Sequence, residues 1–338
     1  MNIQKYSLAL LTSFERNKST TAIAHEAGEN QIAASRFLDK ISISGPDFMP
    51  MVKELFGDKK INLVIDDFVL SRRYANNTEA VSSMKDQSTK TFTTGTSLLV
   101  CGITDSEYFL PLDLEQWIAE FIAEKGYLSK PELAERLIER VLKLGLKIDY
   151  CVLDGLYFSV KLLNFLNDKM LKFVIKAKTT TSVVLNGQKM QLKNCPDLRL
   201  NSNQNCKRIE AEWSSKMWHF VAVRRRGKHG TKIIYLIANF LVQKTKLYKK
   251  VYDSRWTVEK FIRTGKQKIG LNGSQSQQAK IYLNHIRCVF IAYGILQFIM
   301  KKFRLESAED ALRKIQAQKM KSSFVDIVDQ FSLLVKLA

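Results

Sequence analysis

The order of strand-like and helix-like runs between residues 60 and 176 constrains this chain more than any other feature. Ile61-Asn-Leu-Val-Ile65 is a β-branched run ending in Asp66-Asp67, and Ser97–Ile103 and Tyr108–Leu112 read as two further strands. A helix follows: Pro131 sits where a first-turn proline is tolerated, and Leu133, Leu137, Val141 and Leu144 recur at helical spacing. Tyr150–Leu153 is a strand ending in Asp154, followed by a helix around Val160–Leu166 and a strand at Lys172–Ile175. The order is β-β-β-α-β-α-β, which predicts a short antiparallel meander continuing into parallel strands through crossover helices.

That order is the ribonuclease H-like arrangement, so the expected fold class is α/β, a mixed sheet with flanking helices. The expected organisation is a helical unit over 1–55, a first part of the core over 56–176, a β-rich insertion over 177–240, a second part of the core over 241–300, and a helical tail over 301–338. In the first unit Thr20 caps a short helix through Ala27, Gly28 turns the chain, and Asn30 caps a second helix through Lys40. The spacing fits a helix-turn-helix, which would present Arg36 to DNA, and equally an ordinary helical hairpin. Gly45-Pro46 and Met49-Pro50 read as a linker. In the insertion, Asn186-Gly187 marks a turn and Trp218–Val223 and Lys232–Ala238 are strands.

Charge narrows the class of partner. Lys and Arg number 53 against 33 Asp and Glu, a formal net charge of +20, which points to a polyanion such as double-stranded DNA. The five cysteines are scattered without Cys-x-x-Cys spacing, as expected in a reducing cytosol. No secretory signal is expected at the N-terminus, and the apolar run Cys288–Met300 is too short to span a bilayer and reads as a buried helix. The four histidines lack transition-metal spacing, and there is no Gly-x4-Gly-Lys phosphate loop.

Asp67 and Asp154 each close a strand of the parallel type, where open α/β sheets carry functional groups, although an isolated Asp there is commonly a turn residue. More informative is Tyr252-Asp-Ser-Arg255-Trp-Thr-Val-Glu259-Lys-Phe-Ile-Arg263-Thr-Gly-Lys266. At about 100° per residue, Tyr252, Arg255, Glu259, Arg263 and Lys266 fall within one stripe of roughly 80°. A carboxylate flanked by three cations and a phenol suits metal binding beside phosphate contacts; a solvated face laced with ion pairs has the same composition.

The spacing Tyr-x2-Arg-x3-Glu-x6-Lys resembles the signature of a group of bacterial insertion-sequence transposases of the DDE superfamily, matched at all four positions. Val64-Ile-Asp-Asp67, Val152-Leu-Asp154-Gly, Gly270-Leu, Asn284-His285-Ile and Ala292-Tyr293 extend the resemblance over roughly residues 60–300. Relatives commonly have Thr after the first catalytic Asp, where this chain has Phe68. The resemblance implies catalytic, metal-holding Asp67, Asp154 and Glu259 and Mg²⁺ or Mn²⁺. It implies cleavage of transposon ends followed by 3′-hydroxyl strand transfer, by a homodimer in a bacterial cytoplasm. Tyr252, Arg255 and Lys266 are then expected on the DNA backbone, with Arg263 beside them. A related nuclease without strand transfer, and a DNA-binding regulator descended from a transposase, remain open alternatives. Arg224, Arg225 and Arg226 look like a basic hairpin tip, and Trp213 or Trp218 could stack on a base, core packing being the other reading. The apolar spacing of Phe324, Ile327, Phe331 and Leu334 makes the tail a candidate dimer contact.

Overall fold

The computed structural model describes residues 1–72, 78–79, 81–85, 91–123, 126–227, 230–321 and 326–327. Its centre is the expected meander and crossover. Strands β1 (Ile61–Ser71), β3 (Phe92–Thr104) and β4 (Phe109–Trp117) are antiparallel neighbours, with short β2 (Ser82–Lys85) on the first residues of β3. After the one-turn helix α5 (Glu120–Ala123), helix α6 (Lys130–Leu142) crosses to β5 (Ile148–Leu153), parallel to β1. Helix α7 (Val160–Asp168) then crosses to β6 (Phe173–Ala177), parallel to β5. β1 lies between two partners and is covered on both faces, which is why it reads as a continuous apolar run.

The β-rich insertion extends this same sheet. Strands β7 (Ser182–Leu185), β8 (Gln188–Gln191), β9 (Cys206–Trp213), β10 (Lys216–Gly227) and β11 (Gly230–Ala238) continue from β6 in the order β6-β11-β10-β9-β7-β8. Asn186 and Gly187 both take positive φ in the β7–β8 turn, the pairing that a two-residue hairpin of this type demands. The sequence marks those strands but carries no signal for which edge they join.

The N-terminal helices share the main core. Helices α1 (Ile3–Thr12), α2 (Thr20–Glu26), α3 (Gln31–Lys40) and α4 (Met49–Phe56) belong to one hydrophobic cluster with the sheet and with α10 (Ala279–Phe303). The expected caps hold with one shift: Asn30 accepts from the Ala33 N–H, whereas α2 is capped by Ser19, not Thr20. Helix α10 is long and apolar enough to cross a membrane, yet most of it is buried inside the protein, as expected for the Cys288–Met300 run. Helix α11 (Ala308–Lys319) follows; of the expected tail stripe, Phe324, Phe331 and Leu334 lie outside the described residues, while Ile327 is buried.

A buried polar chain ties α1 to α10 and to the backbone at Gly270. The Tyr6 hydroxyl lies 2.8 Å from His285 Nδ1, and His285 Nε2 lies 2.8 Å from the Gly270 carbonyl. A carbonyl only accepts, so Nε2 carries the hydrogen and Nδ1 accepts from Tyr6. Burial lowers the His285 pKa to about 4, keeping the ring neutral. Gly270 itself has φ +89, and a Cβ there would stand 2.5 Å from Lys18 Cβ, so only glycine fits. Tyr6→Phe leaves Nδ1 buried without a donor and is expected to cost about 1–3 kcal/mol, read from urea unfolding; an unchanged midpoint would show that the chain is dispensable.

Candidate active site

Alternation along β1 divides its side chains between two helical layers. On one face Asn62 donates to Ser254 Oγ (3.2 Å), Asp66 Oδ2 pairs with Arg255 (2.7 Å), and the Phe68 ring lies 5.7 Å from Lys266 Nζ. On the other face Asp67 Oδ2 pairs with Lys130 at the start of α6 (2.5 Å). Asp67 stands level with Leu99 on β3 and Glu115 on β4. Glu115 and Asp113 are both held by Arg140 of α6 at 2.5 Å, so Asp67 belongs to a row of ion pairs between the sheet and α6.

The β1–β5 register decides which aspartate meets Asp154. Ile65 pairs with Leu153, so the next residues along, Asp66 and Asp154, stand side by side on neighbouring parallel strands. The expectation that Asp67 joins Asp154 and Glu259 is therefore not met: a one-residue step turns the side chain to the opposite face, and Asp66 is the carboxylate that the structure brings to them.

The helix that supplies the third carboxylate is broken where the sequence reads as continuous. Helix α8 (Lys246–Asp253) ends, four i→i+3 bonds tighten the chain from Val251 to Val258, α9 (Trp256–Thr264) follows, and Gly265–Ile269 forms a π turn containing Lys266. The tightening still leaves three signature residues together. Tyr252 donates from its hydroxyl to Asp154 Oδ1 at 2.9 Å, and Arg255 pairs with both Asp66 and Glu259. Lys176 of β6 stands 3.7 Å from Asp154. Arg263, the remaining member of the expected stripe, is exposed on α9.

Electrostatics follow from this crowding. Burial pushes the Asp66 pKa up to about 7 against the pull of Arg255, with the charges of Asp67 and Asp154 adding to the rise. Burial also opposes ionisation of Asp154, but Arg255, Lys176, the Gly155 N–H and the Tyr252 hydroxyl outweigh it and hold the group below its ordinary value. Burial and the neighbouring Asp154 raise the phenol of Tyr252 well above its usual range. Burial alone would lower the Arg255 pKa; Asp66, Tyr252, Asp154 and Glu259 more than offset it, so Arg255 stays charged.

The expected DNA contacts divide. Arg36 is exposed on α3 and Arg226 at the end of β10, positions open to a phosphate. Arg224 donates to the carbonyls of Leu200, Asn201 and Ser202, and Arg225 pairs with Asp253, so both have partners within the protein. Lys228 and His229 lie outside the described residues. Trp218 is corrected from a base-stacking candidate to a packing residue: it is buried against Phe173 and donates from Nε1 to the Trp213 carbonyl. Trp213 stacks on Phe158 at 4.6 Å. The tryptophan that is half exposed beside the carboxylates is Trp256, unremarked in the sequence because nothing in its spacing separates it from an apolar helix position.

With Asp66, Asp154 and Glu259 converging on Arg255, comparison with known proteins becomes informative. The family model of the transposase DDE domain matches residues 122–293. The chain belongs to that family. The matched segment contains Asp154, Tyr252, Arg255, Glu259 and Lys266 and begins after β1, so the choice between Asp66 and Asp67 rests on geometry. No curated relative matches the chain. Among solved structures, the NurA nuclease from Sulfolobus solfataricus is similar at 13% identity and a TM-score of 0.31, over 69% of this chain and 82% of that one, too low a likeness to carry an argument. This transposase-family chain is a mixed α/β protein with a central sheet flanked by helices.

Proposed function

We propose that this transposase cuts DNA at transposon ends and joins the freed 3′-hydroxyl to target DNA, using Asp66, Asp154 and Glu259 as its carboxylates. One observation carries the reading: carboxylates from β1, from the end of β5 and from α9 face a single guanidinium, Arg255, on the helix that bears the family signature. The order β4-β3-β1-β5-β6, antiparallel then parallel, supports a ribonuclease H-like core in which those strand ends and that helix meet.

The donor set fits a hard divalent cation, since carboxylate oxygens favour Mg²⁺ or Mn²⁺ over thiophilic metals. Among the described residues no three acidic, His or Cys side chains are drawn tightly enough around one point to hold an ion, and Arg255 stands between Asp66 and Glu259. Asp66, Asp154 and Glu259 would hold the cation, which supplies Lewis-acid polarisation of the phosphate and charge neutralisation during displacement. The residues of the chain do the rest. The planar guanidinium of Arg255 exchanges carboxylate contacts for the bidentate grip it can make on a phosphate. Tyr252 fixes the orientation of Asp154 through its hydroxyl, and Lys266 places a third cation along the DNA path over the buried Phe68 ring. Synapsis of two ends implies a homodimer on DNA.

The test is cleavage and joining of a labelled duplex taken from the sequence flanking the coding region, in Mg²⁺ and after chelation. Nicking and joining that stop on chelation are expected. Cutting without joining would make the protein a DDE nuclease, and binding without chemistry in either Mg²⁺ or Mn²⁺ would make it a DNA-binding relic.

A further inference from the structure

Arg225 sits where the insertion meets the catalytic helix, and its surroundings differ from those of a DNA-facing side chain. Only 19% of its side chain is exposed, and its guanidinium pairs with Asp253, which Lys249 also holds at 2.5 Å. The same guanidinium lies 5.2 Å from the Tyr252 ring and 5.5 Å from the Trp256 ring. Those three partners bracket one feature of the backbone: Tyr252 and Asp253 end α8, Trp256 begins α9, and the tightened segment lies between them.

We propose that Arg225 is a positioning residue that clamps this helix break, so that the β10–β11 hairpin of the insertion sets the alignment of Tyr252 with Asp154 and of Arg255 with Asp66 and Glu259. A tightened turn inside a helix has poorer hydrogen-bond geometry than a regular one and persists where surrounding contacts hold it. Arg225 provides such contacts on both sides of the break: an ion pair to Asp253 and cation–π contacts to one ring before the break and one after it. Tyr252 is the ring that it covers and also the donor to Asp154, so displacement at Arg225 reaches the carboxylate through a single side chain. β10 pairs with β9 as far as Val223 and with β11 as far as Gly227, where Arg225 stands opposite Lys232, so the arginine is mounted on a paired strand. The inference gives the insertion a role in assembling the site, and its link to catalysis rests on the function proposed above.

Hydrogen exchange of the apoprotein tests the clamp without calling on activity. Arg225→Gln and Asp253→Asn should each speed exchange across residues 252–258 about tenfold or more, leaving the β1–β5 core unchanged. The swap Arg225→Asp with Asp253→Arg restores the ion pair and should exchange more slowly than Arg225→Asp or Asp253→Arg alone. Unaltered exchange at 252–258 in both single variants overturns the clamp, whatever the enzyme does. A second readout separates a clamp from a phosphate contact: Arg225→Gln should cut turnover at saturating end DNA while keeping the slope of log K against log salt. A slope reduced by about 0.9 would show one lost phosphate contact and overturn the positioning role. A wild-type protein that never cleaves its end DNA would refute the proposed function and leave the clamp to be judged on exchange alone.

Discussion

Asp66→Asn is expected to lower end cleavage by on the order of 10³ and Asp67→Asn by less than about tenfold, because on the proposed function only the first substitution removes several kcal/mol of charge stabilisation at the phosphate. The two residues are adjacent, similar in charge and equally able to bind a cation in isolation. What separates them is the pleat: Asp66 shares a face with Asn62, Phe68 and the Tyr-Arg-Glu helix, and Asp67 shares one with α6. A tenfold loss at Asp67 allows for the broken pair with Lys130. The reverse ranking, measured as single-turnover rates on the same duplex, would return Asp67 to the site. The Asp66 carboxyl is raised from 3.8 to about 7, so between those values the native state keeps a proton that the unfolded chain has lost, and stability falls as pH rises through that window. Asparagine does not titrate. From pH 5 to pH 7, without divalent cations, the wild type should therefore lose stability relative to Asp66→Asn by up to about 1.4 kcal/mol per pH unit, read from urea midpoints. A constant difference would mean that Asp66 is ionised throughout.

The order of strands and helices was legible because each core element carries its own local signal: a β-branched run for β1, short apolar runs for β3 and β5, a first-turn proline and 3.6-residue periodicity for α6. The identity of the first carboxylate was not legible, since it depends on the register between β1 and β5, a long-range quantity that neither strand states. The break between α8 and α9 was hidden for a similar reason. Tyr252–Lys266 contains no proline and only Gly265, so its local preferences are those of one helix, and the break is imposed by contacts with Arg225 and Asp154 from other parts of the chain. Burial of Trp218 and partial burial of Arg225 follow the same logic: the edge that the insertion joins decides which of its side chains meet the core.

Glu259→Gln is the second substitution with a large expected effect, about 10³ or more in both cleavage and joining. The amide keeps the size and helical preference of the side chain, so α9 and its packing on the sheet are retained and the loss reports chemistry. Arg255 keeps its pair with Asp66 in this variant, and the guanidinium, freed from one carboxylate, gains freedom to grip phosphate. DNA affinity should therefore hold or tighten by up to about threefold, since a negative charge near the backbone has been removed from a partly solvated site where such effects stay below about 1 kcal/mol. Loss of chemistry together with retained binding identifies Glu259 as a member of the reacting site. Cleavage that persists in Glu259→Gln would instead assign the residue to the ion pair with Arg255 alone and move the search for the third carboxylate to another element facing Asp154.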